Sequence, residues 1–257
     1  MPGLAFVGDR ASAAAGRARA LGATIVGSDA EAEGLAAPVR LELLGERLHA
    51  RLAEWPRSAA FRVDFDPARL AEATRSPLVR AAGTPPGVLL DATAGFGGDA
   101  MTFAAAGWTV IALERNPWVH WLLDEGLAAA RADPRLAGTA SRVSLVHLEA
   151  TVALESVARG ESVPGTSHLG PLDVVLLDPM FPLEERRKRA LPPKAAQLLR
   201  AIVGEDRDAS GSLELARRIA GRRVVVKRPP WADPLLPTPE FTIETKLLRL
   251  DAYRPTA

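Results

Sequence analysis

The stretch "LDVVLLDPMFP" (172–182) ends an apolar run on an acid, a proline and an aromatic ring, Asp178, Pro179 and Phe181. Those residue types suit the handling of a flat NH2 group. An exocyclic amine is a poor nucleophile because its lone pair is delocalised, and its protons must be drawn away as the nitrogen becomes tetrahedral. The Asp178 carboxylate and the Pro179 carbonyl can accept the two N–H groups and aim the lone pair, while Phe181 offers a face for stacking a base. Just downstream, Arg186, Arg187, Lys188 and Arg189 supply a burst of positive charge suited to phosphates.

A second constellation lies upstream. "LLDATAGFGGDAMTF" (89–103) puts glycines directly after a strand and directly before a helix, where the backbone must turn tightly and approach a ligand. Gly95, Gly97 and Ala100 satisfy the G-x-G-x-x-G/A spacing, and Glu114 ends the next strand, where a carboxylate can accept ribose hydroxyls. This spacing alone does not separate a dinucleotide from other adenosine cofactors. Asp91 at the strand end suits an ammonium group, Asp99 at the helix start would repel a pyrophosphate, and Glu149 after the third strand can line a nucleoside rim. Together they favour S-adenosylmethionine. Asp99 also fits a plain helix cap, Glu149 a solvated loop residue, and Arg115 either a rim contact or a helix-start polar residue. Lys227 and Arg228, in "VVVKRPPW", reach the same edge, either to touch RNA or to balance Asp178.

These residues need a parallel sheet to bring them together. From Asp66 onward, helix and strand alternate in the pattern of an α/β fold. Strands are expected at 87–92, 109–114, 142–148, 172–178 and 222–227, with helices at 98–107, 117–132 and 210–221 and a terminal antiparallel pair within 241–254. Residues 1–65 read as a small α+β domain with a hairpin over 39–52 and a further strand at "FRVDF" (61–65). The remainder, 66–257, reads as one larger domain. Trp108, Trp118 and Trp121 read as packing residues.

Composition narrows the classes. The chain of 257 residues is 47% hydrophobic and 25% charged, a globular balance, and its net charge of +1 leaves attraction to a polyanion to local patches. With no cysteine, disulfides, thiolate metal sites and a cysteine nucleophile are excluded. The four histidines show no metal spacing, so no metal is expected. No apolar run approaches a membrane span and no leader pattern opens the chain, which points to a soluble cytoplasmic protein.

The order acid, proline, X, aromatic resembles the Asp/Asn/Ser-Pro-Pro-aromatic motif of methyltransferases that act on exocyclic or amide nitrogens, with Met180 in place of the second proline. More specifically, "LLDATAGFGGDA", "ALERNP", "LVHLEA", "LDPMFP" and "RVVVKRP", in this order, resemble the ribosomal RNA small subunit methyltransferase J family over Val88 to Tyr253. The resemblance implies S-adenosylmethionine-dependent methylation of a guanine N2 amine in small-subunit (16S) ribosomal RNA. It also implies cofactor contacts at Gly98, Asp99, Glu114, Arg115, Glu149, Ala150 and Asp178. The chain departs from the family in "LAEATRSPLVRAAG" (70–83), where members carry a basic glycine-rich stretch, and at Glu149 and Ala150, where members carry small hydroxyl residues. The expected fold is a class I methyltransferase Rossmann-like sheet of order 3-2-1-4-5-7-6 with the last strand antiparallel. Alternatives are the same chemistry on adenine N6 or a protein glutamine, a nicotinamide oxidoreductase, or a non-catalytic RNA binder. The expected partner is small-subunit rRNA, free or in the small ribosomal subunit.

Overall fold

A computed structural model describes residues 4–35, 37–166, 171–180, 193–203 and 209–256. The first elements are β1 (Leu4–Val7), α1 (Ala13–Ala20), β2 (Thr24–Val26), α2 (Asp29–Glu33), β3 (Val39–Leu44) and β4 (Arg47–Leu52). After them come α3 (Pro67–Ala73), α4 (Pro77–Ala82), β5 (Val88–Asp91), α5 (Gly98–Ala105), β6 (Thr109–Glu114), α6 (Pro117–Ala132), α7 (Ala137–Ala140) and β7 (Val143–His147). The chain continues through α8 (Ala150–Ala158), β8 (Leu172–Leu177), α9 (Lys194–Val203), α10 (Ala209–Ile219), β9 (Ala220–Arg228), β10 (Phe241–Glu244) and β11 (Arg249–Tyr253).

The large sheet has the order β10-β11-β9-β8-β5-β6-β7. Strands β5 to β9 pair in parallel and β11 runs antiparallel to both β9 and β10. Counted from β5, this is the expected 3-2-1-4-5-7-6 order of the class I methyltransferase fold. The central strands are apolar along their length because both faces are covered. Leu89 and Val174 join the cluster with Phe103, Trp108 and Trp118, whereas their neighbours Leu90 and Val175 join the opposite cluster with Leu154 and Leu213. Adjacent residues therefore pack against α5 and α6 on one side and α8 and α10 on the other.

Helix α6 shows how local chemistry sets the boundaries. The Asn116 side chain accepts from the amides of Trp118 and Val119 at 3.0 and 3.3 Å, and Pro117, which has no amide to satisfy, takes the first helical position. Trp118 and Trp121 are buried, as is Trp108 before β6.

A second sheet, of order β2-β1-β3-β4, stands apart from the large one, and the β3–β4 hairpin forms as expected. The expected strand at 61–65 does not form. Phe61 makes one isolated bridge to Ala50, after which Val63 turns inward against α6 and Arg62 pairs with Asp64 on the outside. The contact with α6 is close enough that a Cβ on Gly126 would lie 2.4 Å from Val63 Cγ1. The chain keeps strand-like alternation there because one side is buried, yet its backbone has no ladder to join. The small sheet also buries Arg40, Glu42, His49 and Arg51 on one face, where Arg51 pairs with Glu42 and Asp29. Among the described residues, no helix is long and apolar enough to cross a membrane.

Candidate active site

The carboxyl ends of β5, β6 and β8 and the start of α8 surround a crevice of about 930 Å³, its open mouth included, walled on another side by Leu199 and Val203 of α9. Open α/β sheets bind ligands at this edge.

Glu114 is placed by its neighbours. Its Oε2 accepts from the Gly95 amide at 3.0 Å and its Oε1 from the Asn116 amide at 2.7 Å, so the glycine turn and the strand end share one carboxylate. Burial raises its pKa to about 7, against the lowering effect of the two amides. Gly95 needs its glycine: φ is +55°, and a Cβ would meet Leu199 Cδ2 at 3.2 Å. At the mouth, Arg115 pairs with Glu149 at 3.5 Å.

Asp91 sits at the end of β5 behind the crevice lining, 1% exposed. Its Oδ1 accepts from the Thr93 amide at 3.2 Å, while Oδ2 is buried with no hydrogen-bond partner. Burial first, and the Asp99 carboxylate next, push its pKa up to about 8.

Asp178 leaves the end of β8 tied at two points. Its amide donates to Thr93 Oγ1 at 2.7 Å, and its Oδ2 accepts from Lys227 Nζ at 2.6 Å. The same ammonium donates to Asp99 Oδ2 at 2.6 Å. Burial opposes the charge of Lys227, but Asp99 and Asp178 outweigh it and hold the ammonium far above its ordinary range. Burial raises the Asp178 pKa, Lys227 draws it down and Asp99 raises it.

Of the residues singled out in the sequence, Gly95, Glu114, Arg115, Glu149, Ala150, Asp178 and Pro179 line the crevice. Asp99 joins them through Lys227, and Asp91 lies behind the lining. Gly97 does not line the crevice: a Cβ there would strike Leu123 Cδ1 of α6 at 2.4 Å, and with φ at +76° its glycine serves helix packing. Gly98 is exposed at the start of α5, with nothing within 4 Å of where its Cβ would stand. Lys227, read in the sequence as either an RNA contact or a balance for Asp178, takes the second place, with its side chain only 18% exposed. Arg228 pairs in register with Arg249 of β11, and burial lowers its pKa. Phe181, Arg186, Arg187, Lys188 and Arg189 lie outside the described residues.

The sequence reading missed Thr93, Leu199, Val203 and Ser212, all on the crevice wall. Thr93 had a signal, since a hydroxyl between Asp91 and Gly95 sits on the ligand-facing turn. The others come from α9 and α10, whose placement follows from tertiary packing.

These residues fit S-adenosylmethionine. Leu113, Ala150, Leu177 and Leu199 supply apolar walls for a flat heterocycle, and the oriented Glu114 carboxylate suits a pair of ribose hydroxyls. The unpartnered Asp91 oxygen, and Asp99 and Asp178 set against Lys227 among the described residues, suit a ligand carrying positive charge.

Comparison with known proteins agrees. Residues 26–255 match the family described as putative SAM-dependent methyltransferase. The chain is 40% identical over 225 residues to Ribosomal RNA small subunit methyltransferase J of Vibrio campbellii, covering 83% of this chain and 85% of that protein. The namesake from Pectobacterium atrosepticum is 38% identical, over 85% of this chain and 88% of its own. A SAM-dependent methyltransferase of Neisseria gonorrhoeae, solved by crystallography, superposes with a TM-score of 0.69 at 27% identity, covering 98% of this chain and 96% of its own. The glycine turn, the oriented Glu114 and the Asp178 edge thus stand in a chain that is an S-adenosylmethionine-dependent enzyme and belongs to the ribosomal RNA small subunit methyltransferase J family.

Proposed function

We propose that the protein methylates the exocyclic N2 amine of a guanine in small-subunit ribosomal RNA, either free or in the small ribosomal subunit, in the cytoplasm. The observation that carries this reading is the Asp178 carboxylate, fixed by Thr93 and Lys227 at the edge of a crevice suited to adenosine. When bound, S-adenosylmethionine supplies a methyl group on a positively charged sulfur. Gly95, Glu114, Arg115, Glu149 and Ala150 hold its nucleoside, and Asp91 and Asp99 face its charge.

On the acceptor side, Asp178 and the Pro179 carbonyl receive the two N–H groups of the guanine amine. They draw its protons away and turn the lone pair toward the methyl donor. The Asp178 carboxylate is placed to take the proton that the nitrogen sheds. Alignment of this kind supplies roughly 7 to 11 kcal/mol of the barrier reduction, provided the reacting atoms are held in contact. Stacking of the base is assigned to Phe181, and phosphate contact to Arg186, Arg187, Lys188 and Arg189, from residue type and sequence position alone. The proposal also divides the chain into residues 1–65, a small α+β unit, and 66–257, the methyltransferase unit; the separate sheets support it.

The test is incubation with labelled cofactor and small subunits, or their rRNA, from a strain lacking the modification, followed by digestion and mass mapping. Label on N2 of one guanine is expected. Label on adenine N6, or only on protein glutamine, would replace the acceptor, and no label on any of these would refute the reading.

A further inference from the structure

Two carboxylates from different elements share one cation. Lys227 of β9 sends Nζ to Asp99 Oδ2, in the first turn of α5, and to Asp178 Oδ2, just past β8, at 2.6 Å each. The lysine side chain is 18% exposed and those of Asp99 and Asp178 are 27% and 39%, so the ammonium is largely sheltered while the acids keep some contact with water. We propose that Lys227 is a positioning residue for methyl transfer, which occupies Oδ2 of Asp178, fixes the plane of that carboxylate and reserves its other oxygen for the acceptor amine. The acceptor's identity rests on the function proposed above; the clamp on Asp178 does not.

Charge explains why a lysine is needed. Among the described residues, the charged and titratable groups facing Asp178 are Lys227 from β9, Asp99 from α5 and Asp91 from the end of β5. With the ammonium present, Asp178 stays an acceptor beside two other carboxyl groups. With it removed, the Asp99 charge, helped by partial burial, favours a proton on Asp178, whose side chain is 39% exposed. A protonated Asp178 presents an O–H donor to an amine that itself needs acceptors, and the carboxyl group is free to rotate. The lysine therefore sets both the orientation and the hydrogen-bonding sense of the group that touches the substrate. Because Asp99 lies at the glycine turn, the same ammonium links the cofactor side of the crevice to the acceptor side.

The experiment compares wild-type protein with K227M, K227R and the double variant K227M/D99N. The Asp178 carboxyl midpoint is read by carbon-13 NMR on cofactor-free protein, and kcat and KM are measured at saturating cofactor. K227M is expected to raise the midpoint, and to lower kcat near pH 7 by about 10²-fold with the RNA KM changed less than about threefold. K227R is expected to return the midpoint close to the wild-type value and to recover most of kcat. Adding D99N to K227M removes the competing charge and should bring the midpoint back down, an effect that a purely structural lysine would not produce. If circular dichroism shows K227M unfolded, K227Q, which keeps N–H donors and loses the charge, takes its place with the same expectations. A wild-type midpoint in the neutral variant, an unchanged kcat, or a K227R no better than K227M in the titration overturns the proposal. Absence of methyl transfer by the wild-type protein would instead count against the proposed function and leave the titration to decide the clamp.

Discussion

The Asp178 amide donates to the Thr93 hydroxyl at 2.7 Å, joining the loop after β8 to the loop after β5 across 85 residues of chain. The acid that faces the acceptor is thus held by the turn that faces the cofactor. Thr93→Val removes the hydroxyl and leaves the amide without this partner. We expect about 1 to 2 kcal/mol of lost stability and a kcat/KM about tenfold lower. Thr93→Ser should restore both, as read by thermal unfolding and label transfer.

Asp178→Asn keeps the size of the side chain and replaces one acceptor oxygen by a donor. Turnover should fall by at least about 10³-fold, while calorimetric titration with S-adenosylhomocysteine still gives binding within about fivefold of wild type. Near-normal turnover by this variant would remove Asp178 from the mechanism.

The glycines of one short loop should respond differently to alanine. Gly97→Ala meets both the left-handed φ of +76° and Leu123 at 2.4 Å, so about 2 to 4 kcal/mol of stability should be lost. Gly95→Ala meets a φ of +55° and Leu199 at 3.2 Å, so about 1 to 2 kcal/mol is expected, with weakened cofactor binding because the crevice wall must shift. Gly98→Ala, with nothing within 4 Å, should stay within about 0.5 kcal/mol of wild type. Urea denaturation of the three variants checks the order.

Asp91 makes the cofactor-free protein sensitive to pH. Its folded pKa of about 8 lies above the ordinary carboxyl value, so folding favours its neutral form. That stabilisation is fully present below about pH 4 and is lost as pH rises toward about 8, because the unfolded chain ionises freely while the buried acid cannot. Asp91→Asn has no such dependence. The stability of the variant relative to wild type should grow by a few kcal/mol, on the order of the shift, between about pH 4 and 8, then level off. A flat difference across a urea series at stepped pH would contradict this.

Much of the framework could be read without coordinates because its signals are local. Asn116 and Pro117 announce the start of α6, and the apolar runs at 109–114 and 172–177 need no tertiary information to be called buried strands. The segment at 61–65 misled because burial on one side imposes the same alternation as a ladder, and only the position of α6 shows that Val63 docks on Gly126. Gly97 was legible as a required glycine, but its reason was not, since Leu123 is distant in sequence. The two readings of Lys227 could not be separated from the sequence, because the choice depends on where a flexible side chain points among charges from three elements. The apolar residues of α9 likewise give no hint of which surface they cover.

That surface has a consequence. Leu198 and Ile202 of α9 are buried in the same cluster as Leu41, Leu48 and Ala50 of the opening hairpin, while Leu199 and Val203 face the crevice. Among the described residues, the opening segment contributes no side chain to the crevice lining, yet it supports the slab that bounds one side of it. A chain begun at residue 66 would strip α9 of one of the surfaces it rests on, and drift in apolar residues of the two hairpin strands would be felt as altered nucleoside affinity at a distance from every ligand atom.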